Sequence, residues 1–326
     1  MQNLHNLSFS NKELGRIIRG FYKNAKIIYA KRLARGIMNY VAEIKITNPS
    51  KVFILKISNQ EKKYSIEKEV FVIELLRKHK IPAPKIIKYD YSKRKFPFEI
   101  LMLEEFNGEI LNDVWNKIDR KNQAKIAYKL GNILSKINSV KFERFAAIHG
   151  YKKFKYYKNY YEAMKKDFRD IIKKHKEIKF LEEITYKRIK NVFKKFQPLL
   201  LSLKKPVLVH NDFWFDHVFI KKFKNEYKVE GIIDFGFAGI FPKEMDFVKP
   251  HRWIFDKGRD IEDAFMKGYQ KLIKLDKNFK TLLILFRVDF DLFFIYRLYK
   301  TNQFKLAEEY KKGLDKFLTM LEDNKT

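Results

Sequence analysis

Two short runs, His210-Asn211-Asp212 and Asp234-Phe235-Gly236, carry residue types that suit one kind of chemistry. Asp212 is a candidate proton acceptor and Asp234 a candidate metal carboxylate, at kinase-like spacing. Phosphoryl transfer asks for an oriented hydroxyl and for a divalent cation on the phosphates. His217 follows Asp212 by five residues, where the kinase catalytic loop His-x-Asp-x-x-x-x-Asn has asparagine. Isolated aspartates in turns are common and mostly structural, so the flanks matter. Val207-Leu208-Val209, Val218-Phe219-Ile220, and Val229 with Ile232-Ile233 are short apolar runs of the kind that make buried strands, which places both acids at strand ends.

Upstream, alternation from Tyr40 to Ile46, a turn at Asn48-Pro49-Ser50 and the run Val52 to Ile57 predict a hairpin. Ser65 suits the N-cap of a helix with Ile66, Val70, Ile73 and Leu76 on one face, ended by Pro82 and Pro84. Ile86-Ile87 and Ile100-Leu101-Met102-Leu103 read as further strands. From about residue 110 helical spacing takes over, with Ile126, Leu130, Ile133, Leu134 and Ile137 on one helix and Tyr160 to His175 on another. Glu104-Glu105-Phe106-Asn107-Gly108 lies between the two regimes as a hinge. The expected architecture is α+β in two lobes, a small sheet-plus-helix lobe over residues 1–106 and a larger, mostly helical lobe over 107–326.

Composition narrows the classes. The 326 residues contain no cysteine, which excludes a disulfide framework and a thiolate nucleophile and favours the cytoplasm. The amino terminus lacks the basic start and apolar stretch of a secretory signal. Leu282 to Tyr299 is the longest apolar stretch, but Arg287, Asp289, Asp291 and Arg297 interrupt it, so it reads as a buried helix with an Arg287–Asp291 pair and not a membrane span. The net charge of +31 permits nucleic-acid binding. Lysines spread along the whole chain fit a solvated surface better than a polyanion site.

The run His210-Asn211-Asp212-Phe213-Trp214-Phe215-Asp216-His217, with Gly231-Ile232-Ile233-Asp234-Phe235-Gly236 and Glu244-Met245-Asp246-Phe247, resembles the aminoglycoside phosphotransferase family of the protein-kinase-like fold. Phe53 to Ile57, Glu67-Lys68-Glu69, Ile81 to Lys85 and the hinge fall in that family's order. The His-Asn-Asp run followed by histidine is most similar to the aminoglycoside 2''-phosphotransferases. The resemblance implies ATP or GTP as donor with Mg2+, Asp212 as catalytic base, and Asp234 as metal ligand. Lys56 would contact the nucleotide phosphates, paired with a helix carboxylate: Glu69, with Glu67 as the rival. His217 stands where asparagine is usual, and an imidazole is a poorer magnesium ligand than an amide oxygen, so it either ligates the metal loosely or bonds a phosphate. His210 is read as a hydrogen-bonded brace of the loop. Asp246 is read as a helix cap in preference to an anchor of the catalytic loop.

No Gly-x-Gly-x-x-Gly or Walker sequence occurs. Arg35 to Tyr40 is the substitute phosphate loop, with Gly36 for close approach and Asn39 as a polar turn. Glu104 and Phe106 mark the nucleotide's hinge contacts, made largely by backbone groups. Only Phe237 to Glu244 separates Asp-Phe-Gly from Met245-Asp246, too little for the peptide-binding segment of a protein kinase, so a small hydroxylated acceptor is expected. A non-catalytic RNA-binding protein is the other rival, with Tyr156, Tyr157, Tyr160 and Tyr161 among lysines read as helical core before stacking surface. The charge favours a neutral or anionic metabolite, such as a sugar or nucleoside, over a polycationic aminoglycoside. Asp256, Asp260, Glu262, Asp263, Asp289 and Asp291 are expected to balance neighbouring lysines on helices, the alternative being an acidic cleft.

Overall fold

The structure, a computed structural model, describes residues 8–33, 39–59 and 65–323. The amino-terminal part runs through α1 (Asn11–Arg19), β1 (Lys26–Arg32), β2 (Tyr40–Thr47), β3 (Lys51–Ser58), α2 (Ile66–Lys78), β4 (Ile86–Asp90) and β5 (Glu99–Leu103). Its five strands form one antiparallel sheet in the order β1-β2-β3-β5-β4. Alternation decides which way each side chain faces. Phe53, Leu55 and Ile57 of β3 join Ala42, Ile44 and Ile46 of β2 in a core closed by Leu14, Ile17 and Ile18 of α1. Ile54 and Lys56 therefore take the opposite face, toward α2.

That second face merges with the core of the rest of the chain. Leu101 and Leu103 of β5 pack with Val70, Ile73 and Leu76 of α2 and with helices farther along the chain. Ser65 caps α2, accepting a hydrogen bond from Lys68 N, and Glu99 accepts one from Ile66 N at 2.6 Å. The helix stops at Lys78, ahead of the expected prolines, and Lys80 turns the chain at φ +57°. Sequence periodicity missed α1, which Ser10 and Glu13 start with a reciprocal capping box, and β1, an edge strand with little buried surface to alternate.

Beyond Gly108 come β6 (Glu109–Ile110), α3 (Leu111–Val114), α4 (Arg120–Asn138), β7 (Ala146–Gly150), β8 (Lys153–Tyr156), α5 (Tyr160–Ile178), α6 (Glu183–Lys195) and α7 (Gln197–Ser202). After them run β9 (Val207–Val209), β10 (Val218–Phe223), β11 (Glu226–Ile232), β12 (Gly239–Phe241), α8 (Val248–Trp253), α9 (Arg259–Gln270), α10 (Phe279–Lys300) and α11 (Phe304–Glu322). Two small sheets, β11-β10-β6 and β8-β7-β12-β9, hold the site loops against this helical mass. Helices α4 and α9 touch backbone to backbone: a Cβ on Gly131 would strike the carbonyl of Phe265, and one on Gly268 that of Tyr128. The expected buried helix is α10, where Arg287 and Asp291 pair at 2.8 Å with 3% and 1% of their side chains exposed. Among the described residues no helix is long and apolar enough to cross a membrane. Of the four tyrosines expected in the helical core, Tyr160 is buried, whereas Tyr156 is exposed on β8 beneath the Arg144 guanidinium.

Candidate active site

Strand β9 ends at Val209, and the next three residues form the first site loop. Asn211 takes a left-handed backbone angle, φ +60°, which turns the chain just ahead of the buried Asp212. Three hydrogen bonds to one carboxylate fix this turn. Asp246 accepts from His210 N at 3.1 Å and Asn211 N at 2.6 Å, and from the Asn138 side chain at 2.6 Å. Asn138 also donates to Leu208 O and accepts from the Tyr269 hydroxyl, so the close α4–α9 pair reaches the loop through it. Asp246 is thus a loop anchor, not the helix cap its sequence setting suggested. Burial pushes its carboxyl up to about 6, against those three donors.

The second loop leaves β11, and Asp234 is again left-handed, φ +64°. Two histidines tie the loops together. His210 is fully buried; its Nδ1 accepts from Asp212 N at 3.2 Å, so Nε2 carries the proton and donates to Ile233 O at 3.1 Å. Burial, then the neighbouring His217, lowers its pKa to about 4, which keeps the ring neutral. His217 Nδ1 donates to Asp212 O at 2.8 Å, and Ile233 N donates to His217 O at 3.0 Å. With Nδ1 so committed, Nε2 is the ring nitrogen that faces Asp234 Oδ2, 3.6 Å away.

Lys56 meets this loop from the sheet. Its ammonium lies 2.7 Å from Glu69 and 3.5 Å from Asp234 Oδ1. Burial opposes the charge on Lys56, but the Asp234 and Glu69 carboxylates more than offset it and raise the pKa. For Asp234 burial pushes upward, and the Lys56 ammonium more than offsets it, holding the carboxyl well below the usual carboxylate range. Glu67, the rival partner, points elsewhere, pairing with Lys153 at 2.7 Å. A shift of two helix positions turns a side chain by about 200°.

The structure therefore brings Lys56, Glu69, Asp212, His217 and Asp234 into one cluster. Asp212, His217 and Asp234 each offer a donor atom within 4.8 Å of the others. The two carboxylates are hard oxygen donors of the kind magnesium takes, and the free Nε2 of His217 is a weaker third. Gly36 lies outside the described residues. Asn39 forms a bend before β2, its buried Oδ1 without a hydrogen-bond partner among them. The Glu104 side chain is exposed and 3.6 Å from Lys85, while its N–H donates to Lys85 O. Phe106 packs on Phe219 and fills the space that a Cβ on Gly231 would need.

Two lysines escaped the motif reading. Lys68, buried on α2, donates to Gly236 O at 2.8 Å and joins the helix to the second loop. Lys249, on α8, hydrogen-bonds Asp212 Oδ1. The first lies inside the Glu-Lys-Glu run; the second stands three residues past Asp246, with no local pattern to mark it. The acids considered for an acidic cleft are mostly paired: Asp256 with Lys257, Asp260 with Arg120, Glu262 and Asp263 with Arg259, and Asp291 with Arg287.

A sheet-bearing lobe over a helical one, with a lysine–glutamate pair facing two loop aspartates, is the architecture of kinase-like phosphotransferases. Solved structures share it. Aminoglycoside 2'-phosphotransferase-IIIa in its GDP complex matches with a TM-score of 0.67 at 16% identity, over 95% of this chain and 99% of that one. A putative aminoglycoside phosphotransferase from Ralstonia eutropha matches at 0.66 and 14%, over 96% and 97%. Plasmodium vivax ethanolamine kinase matches at 0.64 and 11%, over 96% and 91%. A search of curated protein sequences gives no significant match. The profile of the Phosphotransferase enzyme family matches residues 30–277, and the chain belongs to that family.

Proposed function

We propose that this phosphotransferase moves the terminal phosphoryl group of ATP or GTP to a hydroxyl of a small metabolite in the cytoplasm. Residues 1–106 form the nucleotide lobe and 107–326 the lobe that holds the catalytic loops and the acceptor. The observation that carries the reading is the convergence of Lys56, Glu69 and Asp234 with Asp212 in one cluster. Lys56, held by Glu69, binds phosphate oxygens. Asp234, with His217 beside it, would hold Mg2+, which would screen charge on the phosphates. Asn39 covers the phosphates. At the hinge, Gly108 N–H already occupies Phe106 O and Glu104 N–H is spent on Lys85 O, so a base meets Glu104 O and Phe106 N.

Asp212 orients the acceptor hydroxyl. Its oxygen attacks the terminal phosphorus, a new P–O bond forms as the bond to the bridging oxygen breaks, the proton passes to the Asp212 carboxylate, and nucleoside diphosphate leaves. Lys249 occupies Oδ1, which leaves Oδ2, turned toward His217, for that proton. Positioning and electrostatics carry such a transfer, with little covalent work by the protein.

The segment after Asp-Phe-Gly disfavours a peptide acceptor. Gly239 to Phe241 form β12, paired to β9, so this stretch is spent on the sheet and offers no platform. The test is a screen with terminally labelled ATP and GTP over sugars, nucleosides, aminoglycosides and a peptide mixture, with and without Mg2+. Labelled, Mg2+-dependent metabolite supports the reading. Labelled peptide alone, or RNA binding with no nucleotide turnover, overturns it.

A further inference from the structure

Lys249 does more than touch Asp212. Its ammonium stands 5.1 Å from the ring centre of Trp253, 5.7 Å from Phe294, 5.8 Å from Phe290 and 5.9 Å from Trp214. The rings are themselves packed, Trp214 on Trp253 at 4.9 Å and Phe290 on Phe294 at 4.4 Å. Each of the four is only half-buried. Ring faces attract a cation, and four of them with one carboxylate hold this ammonium in place. The two oxygens of Asp212 face different neighbours: Oδ2 lies toward His217 on the Asp234 side, whereas Oδ1 meets Lys249 and the box. The box therefore borders Asp212 on the side away from His217, next to any acceptor whose hydroxyl Asp212 holds.

The polar groups there are donors without acceptors. An ammonium has three N–H bonds, and Asp212 is the one acid in ion-pair range of Lys249 among the described residues. The indole Nε1–H of Trp214 is buried and has no hydrogen-bond partner among them. Arg287 stacks on Phe290 at 5.2 Å from outside the box, its charge matched by Asp291. A cationic acceptor would have to displace a tethered ammonium from Asp212 and four rings at once.

We propose that Lys249 and its aromatic box select acceptors whose reacting hydroxyl lies close to an anionic group, a carboxylate or a phosphate, and reject those with an ammonium there. The inference rests on the proposed phosphotransfer at Asp212 and names the acceptor class for that same site. The anion takes the remaining N–H bonds of Lys249, the Trp214 indole donates to it, and the rings cover the acceptor's apolar face. Lys249 is thus a specificity-determining residue.

The experiment compares wild-type protein with Lys249→Met and Lys249→Arg on matched acceptors of one sugar skeleton: neutral sugar, sugar acid, sugar phosphate and amino sugar. Ratios of kcat/KM within each enzyme cancel any common loss through Asp212. Wild type is expected to favour the acid or the phosphate, whichever of the two fits the box. Methionine fills the box without charge, and a charge-assisted hydrogen bond is worth about ten- to a hundredfold. Lys249→Met should lose that preference, mostly through KM, and Lys249→Arg should keep part of it. Equal ratios in wild type and Lys249→Met overturn the inference alone. So does a wild type that prefers the amino sugar, a result needing no folded variant. Protein that binds Mg2+-nucleotide but phosphorylates none of these or the screened acceptors overturns the proposed function, and the acceptor assignment falls with it.

Discussion

Asp212 and Asp234 are both aspartates on left-handed or left-handed-flanked turns, yet their surroundings assign them different work. Asp234 is held ionised by Lys56 and faces the Nε2 of His217; Asp212 is held between Lys249 and the carbonyl-bound His217. Asp212→Ala should leave nucleotide binding nearly intact and lower kcat by roughly 10²- to 10⁴-fold, the usual range for general base catalysis. Asp234→Ala should instead weaken binding of the Mg2+-nucleotide itself, read by calorimetry; the reverse pattern would exchange the two assignments. Asp246→Asn is the companion test. One amide oxygen cannot accept from three donors on both sides of a carboxylate, so at least one buried N–H is stranded, and unfolding should come about 1–3 kcal/mol more easily in denaturant. At this scale the sequence showed Asp212, Asp234, Lys56 and a choice of glutamates, because motif spacing and strand alternation are local. It could not show Lys249 or Asn138, whose contacts with Asp212 and Asp246 are made between elements far apart in the chain.

Among the elements, the short helix α8 gathers the most consequences. It starts two residues after Asp246, so the segment that fixes the Asp212 loop also delivers Lys249 to Asp212, and the next residue but one, His251, lies beside Phe317 of α11 and Arg287 of α10. Burial, then the charges of Arg287, Lys316 and Arg252, lowers the His251 pKa to about 4. An unfolded histidine titrates near 6.5, so between those values the unfolded chain binds more protons than the native one. The resulting stability is fully present above about pH 6.5 and is lost as pH falls toward 4. Asp291 works in the opposite sense, since burial raises it to about 6; its contribution is fully present below the unfolded carboxylate pKa and is lost as pH rises toward 6. The slope of wild type alone therefore mixes the two. The difference in unfolding free energy between wild type and His251→Gln isolates the histidine and should shift against wild type by on the order of 2 kcal/mol from pH 7 to pH 4, partial exposure included. A flat difference would mean that the ring is solvated. Hairpin, α2, α4 and α10 were legible because each buries one stripe or is buried all round. Strand β1 and helix α8 were not: one exposes most of its residues, and the other is too short for any period.

The molecule as a whole carries 70 basic against 39 acidic residues, and this surplus is smeared over the surface, not concentrated in a tract. The long-range field is therefore positive whatever the cleft holds, and it draws in a nucleoside triphosphate before any contact is made. Screening gives the measurement. Raising ionic strength from about 0.01 M to about 0.15 M shortens the Debye length from about 30 Å to about 8 Å. The association rate for the Mg2+-free nucleotide, followed by stopped flow, should fall by roughly tenfold over that range, while kcat at saturating substrates holds, because Lys56, Glu69 and Asp234 sit in contact and are screened far less. Acceptors sort by the same field: KM for an anionic acceptor should rise with salt, that of a neutral sugar should stay level, and that of an aminoglycoside should fall as repulsion is screened. This separates the global charge from Lys249, since Lys249→Met changes one charge in a surplus of 31 and should leave all three salt slopes in place while removing the preference at fixed salt. A nucleotide association rate indifferent to salt would confine the electrostatics of recognition to the cleft itself.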